Sequence, residues 1–195
     1  MLAATITERP SWNSLYETAV TQAGLFTTSQ AAAAGYSPQL LVHHLHAGNI
    51  RRVRRGIYRL VHFPYSEDED LAAVWLWSEL AGVFSHRTAL ALHGLSDLLP
   101  SRLHITLPES WRRRRLRVPT DVVLFHADVP PEDRTWFGPV PITKPRRALN
   151  DCANDGLSPE FLQQAAQQAL RRGLVTRDEI GDVEAALAPF GGLAP

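Results

Sequence analysis

The sequence predicts an α+β protein in two parts. Three observations carry this: three short glycine-terminated helix signals in the first fifty residues, an arginine-rich run of β-formers directly after them, and a longer rear region where strand and helix signals mix. The front, residues 1–63, reads as a winged helix-turn-helix. Residues 64–188 read as a mixed α/β domain with a small sheet and flanking helices, and 189–195 as a frayed Gly/Pro-rich tail. Pro64, between Phe63 and Tyr65, marks the predicted boundary.

Each front element has a local reason. Trp12, Leu15, Tyr16, Ala19 and Ala23 recur at three- and four-residue steps, predicting a helix that Gly24 ends. Thr27 or Thr28 caps a short alanine-rich helix that stops at Gly35. Ser37 then stands at an N-cap with Pro38 in the first turn, where its missing N–H costs nothing, and Gly48 sits past the end. Leu41 and Leu45, four apart, face inward, with His44 on their flank. "NIRRV" and "IYRL" flank the turn residue Gly56 and predict a hairpin, which completes the winged-helix order.

The rear begins with "YSEDEDLAAVWLWSELAG". Ser66 and Glu69 have capping-box spacing, and the broad apolar face from Leu71 to Leu80 predicts a mostly buried helix. "SHRTALALHG" predicts a helix from Ser85 to Gly94. "RLHITLP", "DVVLFHAD" and "PVPIT" predict strands. Helices follow in "KPRRALNDCA", capped by Thr143, in "SPEFLQQAAQQALRRG", and after a second capping-box spacing at Thr176 and Glu179.

The formal charge is zero, but it is unevenly spread. Residues 1–62 carry six arginines against two glutamates, and 63–100 one arginine against six acids. Residues 101–150 carry ten bases against five acids, and 151–195 three against seven. Such blocks imply separate surfaces with separate partners. Nineteen of the twenty basic residues are arginine, which suits bidentate phosphate contacts and also fits a biased base composition, so the clusters and not the total carry the argument. Cys152 is the one cysteine, excluding an internal disulfide and fitting a reducing cytoplasm; its place in an apparent helix predicts a core residue. The first residues lack a basic start and apolar run, so no signal peptide is expected, and the longest apolar run, Leu71–Trp77, is short of the roughly twenty residues a bilayer needs.

The chemistry on offer is polyanion binding. Arg51, Arg52, Arg54, Arg55 and Arg59 on a hairpin are candidates for phosphate or minor-groove contacts, with Arg54 and Arg55 at the turn best placed. The helix before it would supply base readout through Ser37, Gln39, Leu40, His43 and His46, with Gln39 suited to adenine. Trp111 with Arg112, Arg113, Arg114 and Arg115 forms a second basic cluster that fits a nucleic acid or an acidic partner. His43 and His46 lack the companions that a metal site needs, and neither a metal nor a cofactor is expected. Phosphate-loop, dinucleotide, zinc-protease and serine-elbow motifs are absent. The lone Lys144 has no spaced acid before it, the acids of Glu67–Asp70 suit a helix dipole, and Ser85 next to His86 makes no nucleophile–base pair by itself, so no enzyme activity is expected.

Three stretches together carry a resemblance: "GLFTTSQAAAAGYSPQLLVHHLHAGNIRRVRRGIYRL", "FSHRTALALHGLSDLLPSRLHITLP" and "GPVPITKPRRALNDCA". From about Leu15 to Leu187 the chain resembles the AbiEi-like antitoxins and transcriptional regulators of type IV toxin–antitoxin systems. The resemblance implies a winged helix that binds inverted repeats of double-stranded operator DNA in its own promoter, with possible self-association there. It implies a rear domain that neutralises a nucleotidyltransferase toxin encoded next door, with no catalysis by the antitoxin itself. Members often carry arginines along the third helix, where this chain has Val42, His43 and His46, which shifts affinity towards the hairpin. Two other readings give different expectations: a stand-alone repressor whose rear domain dimerises or senses a ligand, and a diverged nuclease.

Overall fold

Ser11 opens the first helix by accepting a hydrogen bond from the Ser14 amide at 3.2 Å. The structure is a computed structural model describing residues 9–193. Its first helix, α1 (Trp12–Val20), leads through Ala23 and Gly24, both at positive φ, into a short strand β1 (Leu25–Thr27). Gly24 is required twice over: its φ is +79°, and an added Cβ would lie 2.4–2.8 Å from Phe63 ring and Cβ atoms. Thr27 caps α2 (Thr28–Ala33) in a full capping box with Gln30. Ser37 caps α3 (Pro38–His46), and Gly48 follows it at φ +73°.

The hairpin pairs β2 (Ile50–Arg54) antiparallel with β3 (Ile57–Leu60), with Gly56 in the turn and an irregularity between Arg52 and Arg54. Strand β1 adds to its other side, so the sheet order is β1-β3-β2. Three residues are too few for a period-two signal, which is why β1 was not predicted. Strand side chains alternate between faces. One face places Phe26, Ile50 and Leu60 in a core with Leu15, Ala19, Ala31, Tyr36 and Leu41. The other places Leu25 and Ile57 against Ala72, Ala73 and Leu76 of α4 (Glu69–Trp77).

Helix α4 therefore belongs to the front. The structure divides into two compact units that meet at Leu80 and Ala81, not at Pro64 as predicted. The reason is that the sheet has two apolar faces, and three helices cover only one. The predicted Ser66–Glu69 capping box does not form. Asp68 is the N-cap of α4, Ser66 Oγ accepts from the Asp68 amide, and the Glu69 carboxylate turns to arginines of the sheet.

The rear unit holds a five-stranded mixed sheet of order β6-β5-β4-β8-β7. Its strands are β4 (Val83–Phe84), β5 (Leu103–Leu107), β6 (Val122–His126), β7 (Arg134–Phe137) and β8 (Val140–Thr143). Pairs β5/β6 and β4/β8 are parallel, and β4/β5 and β7/β8 antiparallel. The α+β class is as predicted; β4 and β7 are additions to the expected strands. Helices α5 (His86–Leu92), α6 (Pro145–Asn154), α7 (Pro159–Arg171) and α8 (Gly181–Leu187) share a core through Leu90, Leu149, Leu162, Ala166 and Val183. Cys152 lies in this core, 1% exposed, and burial pushes its thiol far above its ordinary range, so it packs and does not react.

Three terminal features differ from expectation. Ser85 is the N-cap of α5, but its hydroxyl bonds Thr106 and the His86 ring and caps no backbone amide of the helix. Lys144, not Thr143, is the N-cap of α6, because Thr143 is the last residue of β8 and wholly buried. The tail expected to fray makes contacts up to Leu193: Ala188–Phe190 form a 3₁₀ turn, Gln163 Nε2 donates to Gly192 O at 3.3 Å, and Leu193 packs on the helical core. Positions 194 and 195 lie outside the described residues. The capping box of Thr176 and Glu179 forms as predicted.

Candidate nucleic-acid interface

Helix α3 carries the predicted reading residues. Gln39, Val42, His43 and His46 are exposed. Leu40 is not free to read: it is half-buried against the front core. The Ser37 hydroxyl is engaged as the cap, accepting from the Leu40 amide at 3.2 Å. His44 fixes the helix in place. Its ring lies 5.6 Å from Trp12 and 5.5 Å from Tyr36, and its Nδ1 is 3.2 Å from Asn49 Nδ2 at the start of the hairpin. One end of α3 is thus tied both to α1 and to β2.

The hairpin arginines separate into two groups because β2 and β3 alternate faces. Arg59 was expected at phosphate. It is instead 6% exposed, and its Nε donates to Glu69 Oε2 at 2.7 Å. Its Nη1 donates to Leu60 O at 2.9 Å and its Nη2 to Phe63 O at 2.9 Å, so it holds the chain as it leaves the sheet. Arg51 Nη2 meets the other oxygen, Oε1 of Glu69, at 2.5 Å, although its side chain is half exposed. The α4 side of the hairpin therefore spends its charge on Glu69. Arg52 and Arg55 are exposed, whereas Arg54 is half-buried. The tip itself is anchored, since Gly56 O accepts from both the amide (2.9 Å) and the hydroxyl (3.3 Å) of Thr28 at the start of α2. Charge held on a tethered turn needs little reorganisation to meet a rigid duplex.

The second basic cluster lies on the crossover between the parallel strands β5 and β6. Arg112 pairs with Glu109, Nη2 to Oε2 at 2.7 Å, and also donates to His126 O at 3.0 Å. That hydrogen bond and charge hold the Glu109 carboxyl below its usual range and raise Arg112. The Arg114 guanidinium sits 3.7 Å above the Trp111 ring, and Arg113 and Arg115 are exposed. Two of the four arginines thus have partners within the chain, and Trp111 serves as a platform for one of them.

Sequence reasoning missed a polar cluster in the rear unit. Ser85 Oγ and Thr106 Oγ1 are 2.7 Å apart, and His86 Nδ1 is 2.9 Å from Ser85 Oγ. Neighbours in sequence do make a hydrogen bond here, because His86 adopts φ +49° as the first residue of α5. That left-handed backbone costs a β-carbon-bearing residue roughly 1–2 kcal/mol. The ring stacks on Phe125 with centroids 3.6 Å apart and planes 13° apart. Burial, reinforced by His104, Arg147 and Arg87, lowers the His86 pKa to about 3. Ser85 itself is wholly buried. Nearby, Arg147 bridges two acids, donating from Nε to Asp151 at 2.8 Å and from Nη1 to Asp133 at 3.4 Å. These carboxylates are held by a guanidinium. Among the described residues no group of three or more His, Cys, Asp or Glu comes together to hold a metal, and no helix is long and apolar enough to cross a membrane.

The His86 geometry has a measurable consequence. The folded imidazole stays neutral where the unfolded one, near 6.5, takes up a proton. Between pH 6.5 and about 3 the unfolded state therefore binds more protons, and stability falls as pH falls, with a limiting slope of about 1.4 kcal/mol per pH unit from this group. Denaturant titrations of the whole chain at pH 7 and pH 5.5 should show that loss, and His86→Asn should make it smaller. An unchanged pH dependence in the variant would contradict the assignment.

Comparison with known proteins bears on the front unit. Residues 13–61 match the family described as "Transcriptional regulator, AbiEi antitoxin". This covers the front of the stretch on which the resemblance rests, including α1 to α3 and the hairpin through β3. No curated protein matches the chain. Among solved structures, the RV2827C protein from Mycobacterium tuberculosis is similar at 16% identity and a TM-score of 0.40, over 96% of this chain and 85% of that one.

Proposed function

Since residues 13–61 carry the match to the AbiEi antitoxin and transcriptional-regulator family, we propose that this protein is the DNA-binding antitoxin of a type IV toxin–antitoxin system. Its front unit acts as a winged helix-turn-helix: α3 enters the major groove and the hairpin tip rests on the flanking backbone. It represses its own operon through inverted repeats. The rear unit neutralises a nucleotidyltransferase toxin encoded beside it, and the protein works in the cytoplasm without catalysing a reaction itself.

The observation that carries this reading is the exposed row Gln39, His43 and His46 on a capped helix whose far end is tied to a hairpin bearing exposed Arg52 and Arg55. Base-edge donors next to backbone-directed cations are what duplex readout needs. In the rear unit the neighbouring acids Asp133 and Asp151 are both paired with Arg147, which favours a binding role over a nuclease for that unit. One other reading has support of its own: a repressor whose rear unit senses a small molecule, favoured by the cavity described below.

Two experiments test the proposal together. The whole protein, titrated against duplex from upstream of its own gene, should shift that DNA at lower concentration than unrelated duplex, with affinity falling steeply as salt rises. Co-expression with the neighbouring reading frame should restore growth that the neighbour alone arrests. Equal affinity for unrelated DNA would remove the repressor role, and no rescue from a toxic neighbour would remove the antitoxin role.

A further inference from the structure

The rear unit has an open cavity of about 460 Å³ bordered by Arg87 of α5, Arg102 and His104 at the start of β5, Phe125 of β6 and Asp155 after α6. That volume lies within the usual range for small-molecule sites. Two of its polar side chains are short of partners in the protein. Nδ1 of His104 and Nε of Arg87 are buried without a hydrogen bond, and the His104 residue is only 7% exposed. An unpaired buried polar atom is costly, and native folds rarely tolerate two at one place without something that satisfies them.

The surroundings say what would do so. The Arg87 guanidinium reaches Asp155 only at 3.9 Å, the outer limit of an ion pair. Arg102 donates through Nη2 to Val122 O and adds a second positive charge. Burial, with Arg87 and Arg102 beside it, holds the His104 imidazole below its usual pKa and hence neutral, with one ring nitrogen free to donate. Two guanidinium groups against one carboxylate leave one positive charge in excess. Leu98 and Phe125 make part of the wall apolar. The position of His104 is rigid, because its backbone amide donates to Thr88 Oγ1 at 2.8 Å and ties β5 to α5.

We propose that this cavity binds a small organic monoanion, a carboxylate on an aromatic or aliphatic body, with the carboxylate paired to the part-exposed Arg87 guanidinium beside the His104 ring and the body against Phe125 and Leu98. The site is separate from the DNA-binding reading and does not depend on it. It gives the rear unit a means to receive a metabolite.

Ligand-observed ¹⁹F NMR on the full chain tests it, with 4-fluorobenzoate as the probe. The neutral isostere 4-fluorobenzamide and inorganic phosphate serve as controls. The benzoate resonance should broaden and shift with a Kd on the order of 1 mM or tighter, as a fragment of that size allows. The amide should bind at least about tenfold more weakly, since it lacks the charge. Arg87→Met should lower benzoate affinity at least about tenfold. Asp155→Asn removes the competing carboxylate and should raise affinity severalfold, a gain that a misfolded variant does not produce. Absence of benzoate binding, equal binding of the amide, displacement of benzoate by low-millimolar phosphate, or indifference to both substitutions would each overturn the proposal.

Discussion

Replacing Arg52 and Arg55 together with alanine should weaken binding to duplex DNA by roughly 10–100-fold near 0.1 M salt, and by the same factor on every sequence. Both residues are exposed, and both lie on the hairpin beside α3. Each phosphate contact releases condensed counterions, so the slope of log affinity against log salt should flatten by about two contacts' worth, roughly 1.8. Fluorescence anisotropy at several salt concentrations measures both quantities. Gln39→Ala offers the contrast. It should alter preference among sequences more than total affinity, because an amide reads bases while a guanidinium at a hairpin tip reads backbone. A double arginine variant with an unchanged slope would mean that the hairpin does not touch phosphate.

Glu69→Ala should destabilise the front unit by about 3–5 kcal/mol, the usual cost of removing one partner from a buried ion pair. The carboxylate is 11% exposed and faces a guanidinium that is 8% exposed, so its loss leaves Arg59 buried with uncompensated charge. The backbone carbonyls of Leu60 and Phe63 still accept from Arg59, but they carry no net charge. Arg51→Ala is the internal control. It removes the exposed partner of the same carboxylate and should cost no more than about 1 kcal/mol. Chemical denaturation of the whole chain, followed by tryptophan fluorescence, separates the two. Similar small losses in both variants would show that the Arg59–Glu69 pair is not the clasp holding α4 to the sheet.

Much of the front unit was legible locally. The Thr27 and Ser37 caps, the terminating Gly35 and Gly48, and the turn at Gly56 act within four or five residues of where they stand, and the structure has each in place. The candidate site was legible only in part. Five arginines in a short hairpin announce positive charge, but which of them face outward depends on which face of the sheet is covered. Arg59 looked equivalent to Arg55 until α4 was placed over one side. Glu69 misled for the same reason: its spacing from Ser66 satisfies a local capping rule, and a distant pair of guanidinium groups offers a stronger partner than a backbone amide. The rear cluster of Ser85, His86, Thr106 and Phe125 joins residues from three elements and leaves no spacing signal.

The sequence by itself determined where α2 and α3 begin and end, that a basic hairpin follows a capped helix, and that the chain has α+β character. Those features follow from backbone propensity, capping and side-chain periodicity, which act over one or two turns. Only the tertiary structure decided where the units divide, which arginines remain for a partner, and that Arg87 and His104, each with an unpaired buried nitrogen, border one cavity in the rear unit. Ion pairing and burial are properties of groups brought together from far along the chain, and a linear pattern holds no record of which opposite charge or apolar face will arrive.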